Sequence, residues 1–366
     1  MTEAKTRFAI PWRALSMVGS LALIWVVFSI TTQGTFLIPR NLSLLARQMS
    51  VTSILAVGMV LVIVAGQIDL SVGAMAGLLG AISATAFVKG SWPIWAVFLL
   101  PIACGAVLGF FQGNLVARLR IPPFIVTLGG MLLFQGSLLG FTGGVSVSPT
   151  KAFLFIGQEY VPVWAGWALA GILSVGFLYR AVRSTGVERL PWVGLVMLAL
   201  GFTAVMGAYE GIPVPVLLVL VLAAIFSVIA GHTPFGRYLY AIGGNREAAF
   251  YSGISIERHI IGVFTLMGCM AGIAGVVLTA RVGSATADAG RMMELDAIAA
   301  AVIGGTSLLG GQGTVWGALL GALVMASLDN GMSLMNTESF WQPIIKGTIL
   351  VLAVGVDMAS RKGRGH

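Results

Sequence analysis

The stretch VTSILAVGMVLVIVAGQIDLSVGAMAGLLGAISATAFV, Val51–Val88, carries a single ionisable side chain, Asp69, along its whole length. One helix through it would be about 57 Å long at 1.5 Å per residue, nearly twice the roughly 30 Å hydrocarbon core of a bilayer. Two membrane segments, Val51–Ile68 and Ser71–Val88, divided at Asp69 and Leu70, fit that thickness. Asp69 is then both the break and a candidate N-cap for the helix opening at Ser71.

Carrying the same length rule outward gives ten more apolar spans. They are Ala14–Gln33, Pro93–Ala117, Pro123–Phe141, Val161–Tyr179, Pro191–Ala208, Val214–Ala230, Ile260–Ala280, Leu295–Leu309, Thr314–Met335 and Phe340–Val356. The expected fold is all-α, a transmembrane bundle of about twelve spans in one domain, residues 1–366. Leu295–Leu309 is short and interrupted by glycine, so it is expected to be broken or re-entrant. Lys5, Arg7 and Arg13 before an apolar run look like the start of a signal peptide. The run is long enough to span and lacks a small-x-small cleavage site, so an uncleaved first helix is the better reading.

Composition excludes a water-soluble alternative. The chain is 58% hydrophobic and 9% charged, with a mean hydropathy of +0.98, whereas a soluble domain is roughly 25% charged. The net charge of +8 does not form a nucleic-acid face, because basic residues lie in short clusters between apolar runs. With the N-terminus inside and twelve alternating spans, 14 fall inside: Lys5, Arg7, Arg13, Arg118, Arg120, Arg180, Arg183, Arg189, Arg237, Arg246, Arg258, Arg361, Lys362 and Arg364. Only 6 fall outside, namely Arg40, Arg47, Lys89, Lys151, Arg281 and Arg291. Hydrophobicity alone chose the spans, so this bias is an independent indication that both termini are cytoplasmic.

Glycine, at 49 residues, is suited to close helix packing. Gly105, Gly109 and Gly113 repeat every four residues, as do Gly313, Gly317 and Gly321, and each set is expected to be a packing stripe. Cys104 and Cys269 sit in apolar runs and suggest neither a disulfide nor a zinc site.

The longest inside loop, residues 231–259, is too short for a folded soluble domain. Solute recognition in water and energy supply are therefore expected to come from other chains. Within this loop Asn245 is a good N-cap, Glu247 lies in the first turn, and Gly253 suits the residue after the helix end. A helix of about two turns between them is marginal in water and needs a partner surface.

Glu247-Ala248-Ala249, three residues, then Gly253 resembles the Glu-Ala-Ala…Gly loop of ABC-importer permeases, without the downstream Ile-x-Leu-Pro. Ile68–Gly73, Tyr240–Asn245, Gly304–Ser307 with Gly310–Gly313, and Met325–Met335 resemble the ribose/xylose/galactose branch of that family. The last of these, and the extra apolar matter at Pro191–Ala208, are most like its xylose-type members. The resemblance implies that Asn245, Arg246, Glu247, Ala248, Ala249 and Gly253 form a coupling helix that docks on a cytoplasmic ATPase. It also implies a second permease copy, a periplasmic sugar-binding protein, a location in the bacterial inner membrane among its lipids, and a monosaccharide cargo. ATP is then used by the partner subunit, and no cofactor is bound by this chain. Consistently, no Gly-x4-Gly-Lys-Ser/Thr phosphate loop occurs.

Asp69, Glu294, Asp296, Asp329, Lys346 and Asp357 lie in or beside spans, where ionisable groups are costly and often functional. Asp69, Asp329 and Asn330 are the candidates for the substrate pathway, each weighed against helix capping or helix–helix hydrogen bonding. Lys346 is a possible partner of Asp329. An ion-gradient-driven secondary transporter is the competing class, since such proteins place sites on broken helices. No converging set of catalytic side chains supports an intramembrane enzyme.

Overall fold

The structure, a computed structural model, describes residues 12–362. Lys5, Arg7 and Arg364 of the basic set lie outside the described residues. The chain is a helical bundle. In order it forms α1 (Trp12–Thr31), α2 (Pro39–Val64), α3 (Val72–Val88), α4 (Ile94–Ala117), α5 (Pro123–Thr142), α6 (Lys151–Gln158), α7 (Val163–Arg183) and α8 (Leu190–Gly207). There follow α9 (Val214–His232), α10 (Pro234–Gly244), α11 (Arg246–Tyr251), α12 (Ile256–Val282), α13 (Met293–Ile303), α14 (Val315–Leu334) and α15 (Trp341–Lys362).

Each expected span overlaps one of these helices, Leu295–Leu309 only in its first part, since α13 ends at Ile303. Among the described residues, 8 are long and apolar enough to cross a membrane by length and composition: α2, α4, α5, α7, α8, α9, α12 and α14. Three boundaries are corrected. Helix α2 opens at Pro39, well before Val51, because proline suits the first helical turn while Arg40, Asn41 and Arg47 hide its first turns from an apolar rule. Helix α3 opens at Val72 with Ser71 as its N-cap, one position later than expected. The loop 231–259 is largely helical, holding all of α10 and α11 and the start of α12.

The core forms around α2, which is buried from Ser53 to Val64. The glycine stripe of α4 explains its contact with α12. A Cβ at Gly105 or Gly109 would run into the carbonyls of Gly268 and Phe264, and one at Gly113 into Ile261. Only glycine lets the two backbones approach this closely, and in lipid such packing replaces the hydrophobic drive. Gly317 and Gly321 of α14 do the same against Gly304 and Ala300 at the end of α13. Cys104 and Cys269 are half-buried in α4 and α12.

These contacts also give relative direction. Gly105–Gly268 with Gly109–Phe264 makes α4 antiparallel to α12, and Ala76–Gly275 with Gly80–Thr279 makes α3 parallel to it. Loops accordingly sort to two ends. At one end, Val147 pairs with Ala285, Arg47 donates to the Gln158 carbonyl, and β1 (Tyr160–Val161) pairs antiparallel with β2 (Ile212–Pro213). At the other, α10 and the 310–313 turn close over the end of α2, where Gly311 donates to the Val64 carbonyl at 2.9 Å.

Helix α13 has 11 residues, about 16 Å at the helical rise, and falls short of a hydrocarbon core. It bears out the broken reading of Leu295–Leu309. Residues 283–292 before it form turns rather than helix.

Candidate functional site

The α11 segment is built by local chemistry at both ends. The Asn245 side-chain oxygen accepts the Ala248 N–H at 2.9 Å, satisfying an otherwise open donor of the first turn. Glu247 is exposed in that turn. At the other end Gly253 adopts φ 79°. Its N–H donates to the Phe250 carbonyl at 3.0 Å and that of Ile254 donates to Ala249 at 3.1 Å, the paired bonds of a Schellman cap. Arg246 and Ala248 are exposed, and Ala249 is buried against the body of the protein. Phe250 and Tyr251 are 65% and 78% exposed. A short helix that turns two aromatic rings outward offers area to a partner.

This segment is tied to the bundle through α10. Thr233 caps α10 by accepting the Gly236 N–H at 3.2 Å. The Tyr240 hydroxyl donates to the Gly313 carbonyl at 2.7 Å, and burial pushes its phenol above the ordinary range. Gly243 lies so close to the Val64 carbonyl and Gly311 that a Cβ there would overlap both. Through α10, α11 is thus joined to the end of α2 and to the turn that precedes α14.

The expected pathway residues are placed separately. Asp69 is 1% exposed. Its carboxylate accepts the Ser71 N–H at 2.8 Å and the Ser71 hydroxyl at 2.6 Å, so it caps the opening of α3 from two residues before the N-cap. Gln112 of α4 completes this cluster by donating to the Ser71 hydroxyl oxygen at 3.0 Å. That residue was not singled out from the sequence, although a lone glutamine inside Ile94–Ala117 is a visible signal.

Asp329 and Asn330 do not act as a pair. Neighbours on a helix point about 100° apart, and here they serve different partners. The Asn330 amide donates to Asn41 at 3.1 Å and accepts from it at 2.8 Å, joining α14 to α2. Asp329 meets Lys346 of α15 at 2.9 Å. The same ammonium donates to both oxygens of Asp296 at 3.0 Å, giving a two-acid, one-base cluster across α13, α14 and α15. Glu294 is buried at the opening of α13, against Gly73 of α3.

The comparisons with known proteins agree with this architecture. Residues 41–354 match the family described as branched-chain amino acid transport system / permease component. The xylose transport system permease protein of Escherichia coli (strain K12) is 45% identical over 360 residues, covering 94% of this chain and 92% of that protein. Its namesake in Haemophilus influenzae is 43% identical over 360 residues, covering 94% and 96%. The ribose import permease protein of Bacillus subtilis (strain 168) is 36% identical over 337 residues, covering 92% and 90%. No solved structure matches the chain. A match across most of the chain, with relatives of this identity along nearly their full length, makes it a member of the branched-chain amino acid transport system / permease component family.

Proposed function

We propose that this chain is the membrane-spanning permease subunit of an ABC importer that carries a monosaccharide, D-xylose first, into the bacterial cytoplasm. The observation that carries the reading is 45% identity to a xylose permease over 94% of the chain, higher than the 36% to the ribose permease. In this reading the chain is one inner-membrane domain of about twelve spans, with α13 as a broken one and both termini cytoplasmic. Asn245–Gly253 couples it to an ATPase, and the exposed rings of Phe250 and Tyr251 enter a groove on that partner. The α10 contacts to Val64 and Gly313 carry the ATPase motion to α2 and α14. A second copy of the chain completes the pathway, and a periplasmic binding protein delivers the sugar. The chain is not itself an enzyme and binds no cofactor, and ATP is consumed by its partner.

The test is co-purification with an ABC ATPase subunit from the same cells, then reconstitution in liposomes with a periplasmic sugar-binding protein. Xylose should stimulate ATP hydrolysis and enter the lumen only when ATP is supplied on the α11 side. Uptake that needs no ATPase and collapses with an ion gradient would assign a secondary transporter. Ribose or a hexose replacing xylose as the stimulating sugar would change the cargo and leave the class intact.

A further inference from the structure

Beyond Thr286 the turn before α13 folds back along α3. Ser71 bonds Gln112, which lies five residues, about 8 Å, from the end of α4 at Ala117. Gly73 and Gly77 stand further along α3, about 11 and 17 Å above that end by the same rise. Against these two glycines pack the carbonyls of Gly290 and Ala289, and a Cβ on either would overlap them. Ala289 and Gly290 therefore stand alongside α3, within the thickness of the bundle rather than beyond its outer end, although this segment was counted with an outer loop from the sequence. At that depth Asp288 and Arg291 form a loose pair at 3.7 Å, with side chains 83% and 70% exposed.

Backbone without helical hydrogen bonds, and exposed charges, are not tolerated against lipid at membrane depth. They occur there only where they line water or meet protein. Two cavities flank Arg291. One of about 170 Å³ is bounded by Gln135 of α5 and by Asp288. The other, of about 260 Å³, is bounded by Gln342, Asp296 and Lys346.

We infer that this face, with Gln135, Asp288, Arg291 and Gln342 at its centre, is the wall of the translocation path that contacts the sugar. Amides, a carboxylate and a guanidinium supply donors and acceptors for a hydroxyl-rich solute of no net charge, while their weak mutual pairing keeps them available. The opposite wall is the same face of the second copy. Asp69 and Asn330 are bound up in capping and helix pairing and line neither cavity. The sugar cargo rests on the importer reading above, whereas water access to the face does not.

The experiment places single cysteines in a background with Cys104→Ala and Cys269→Ala, in the full complex reconstituted in liposomes. Ala287→Cys and Gln135→Cys probe the face from the loop and from rigid α5, and Ile172→Cys, 71% exposed on the outer side of α7, is the lipid-facing control. A membrane-impermeant thiosulfonate should label the first two at least tenfold faster than the third. Labelling should cut sugar import at least tenfold with the ATPase still bound. Rates equal to that of Ile172→Cys, or full labelling with unchanged import, would overturn the inference. An unlabelled parent that imports no sugar would instead defeat the functional reading, leaving the labelling rates to decide whether the face is wet.

Discussion

Lys346 is the residue on which three helices depend. Its ammonium pairs with Asp296 and Asp329 at once, and its side chain is 21% exposed against 18% and 36% for the two acids. Removing one member of a buried ionic cluster leaves charge stranded, which costs about 3–5 kcal/mol in a fully buried pair. Partial exposure should reduce this to about 2 kcal/mol here. Lys346→Met is therefore expected to lower the unfolding temperature of the detergent-solubilised chain by several degrees. Adding Asp296→Asn and Asp329→Asn should recover part of the loss, because the stranded charges go too. A Lys346→Met variant as stable as the parent would show that the cluster carries no net stability. The pairing of Lys346 with Asp329 was visible in sequence as a possibility, but Asp296 as the third member was not. The members of the triad stand on three separate helices, and only the packing of α15 beside α13 and α14 brings them together.

The caps of α11 show what an element reveals in sequence and what it does not. Asn245 and Gly253 act through bonds to residues three to five positions away, so their roles were legible without a tertiary structure. The same kind of signal, Thr233 before Pro234, marks the opening of α10, a helix that was not singled out from the sequence. The α4–α12 seam was half legible. Glycine spacing exposed the stripe, but its partner lies in a distant part of the chain and could not be named. Two predictions belong to this scale. Gly253→Asp places a side chain at φ 79°, a left-handed conformation that costs most residues roughly 1–2 kcal/mol and Asp less, and it sets a negative charge at the C-terminal end of the helix dipole. It should unravel the cap and weaken ATPase co-purification more than Glu247→Lys, which opposes the helix dipole without touching the backbone. Gly253→Asn, better tolerated in that conformation, should be the mildest. Membrane quantity must stay near that of the parent for all three. Normal ATPase capture by Gly253→Asp would remove α11 from the coupling role. In the seam, Gly109→Val should force α4 off α12, since its Cβ meets the Phe264 carbonyl. The expected result is a large loss of monodisperse protein in size-exclusion chromatography, while Gly129→Val, with open space around it, should be neutral.

At the scale of the molecule, the relative directions of packed helices can be set beside the proposed topology of twelve alternating spans. Hydrophobicity places the spans, and the bias of Lys and Arg names the inner end. Packing contacts then assign direction without reference to either. Trp25 bonds Ser327 and Phe28 packs on Gly331, so α1 runs parallel to α14, as first and eleventh spans must if crossings alternate. Gly166 faces Thr203 and Gly207 faces Val163, so α7 and α8 are an antiparallel hairpin, as sixth and seventh spans. Arg180, Arg183 and Arg189 gather at the turn of that hairpin, and two of them stack over rings, Arg180 on Trp192 at 5.6 Å and Arg183 on Tyr179 at 4.4 Å. Aromatic and basic residues grouped in this way suit the cytoplasmic interface. At the opposite end Val147 is bridged to Ala285, so Ser148 and Thr286, the next residues on each strand, must share a side of the membrane. In the background lacking Cys104 and Cys269, Ser148→Cys and Thr286→Cys are expected to react with an impermeant reagent on intact cells. Ser184→Cys should react only after the cells are opened. Reaction of Ser148→Cys without Thr286→Cys would break the bridge between the two loops. Reaction of Ser184→Cys on intact cells would invert the α7–α8 hairpin relative to α11, and the alternation on which the twelve-span reading depends would fail between α6 and α9.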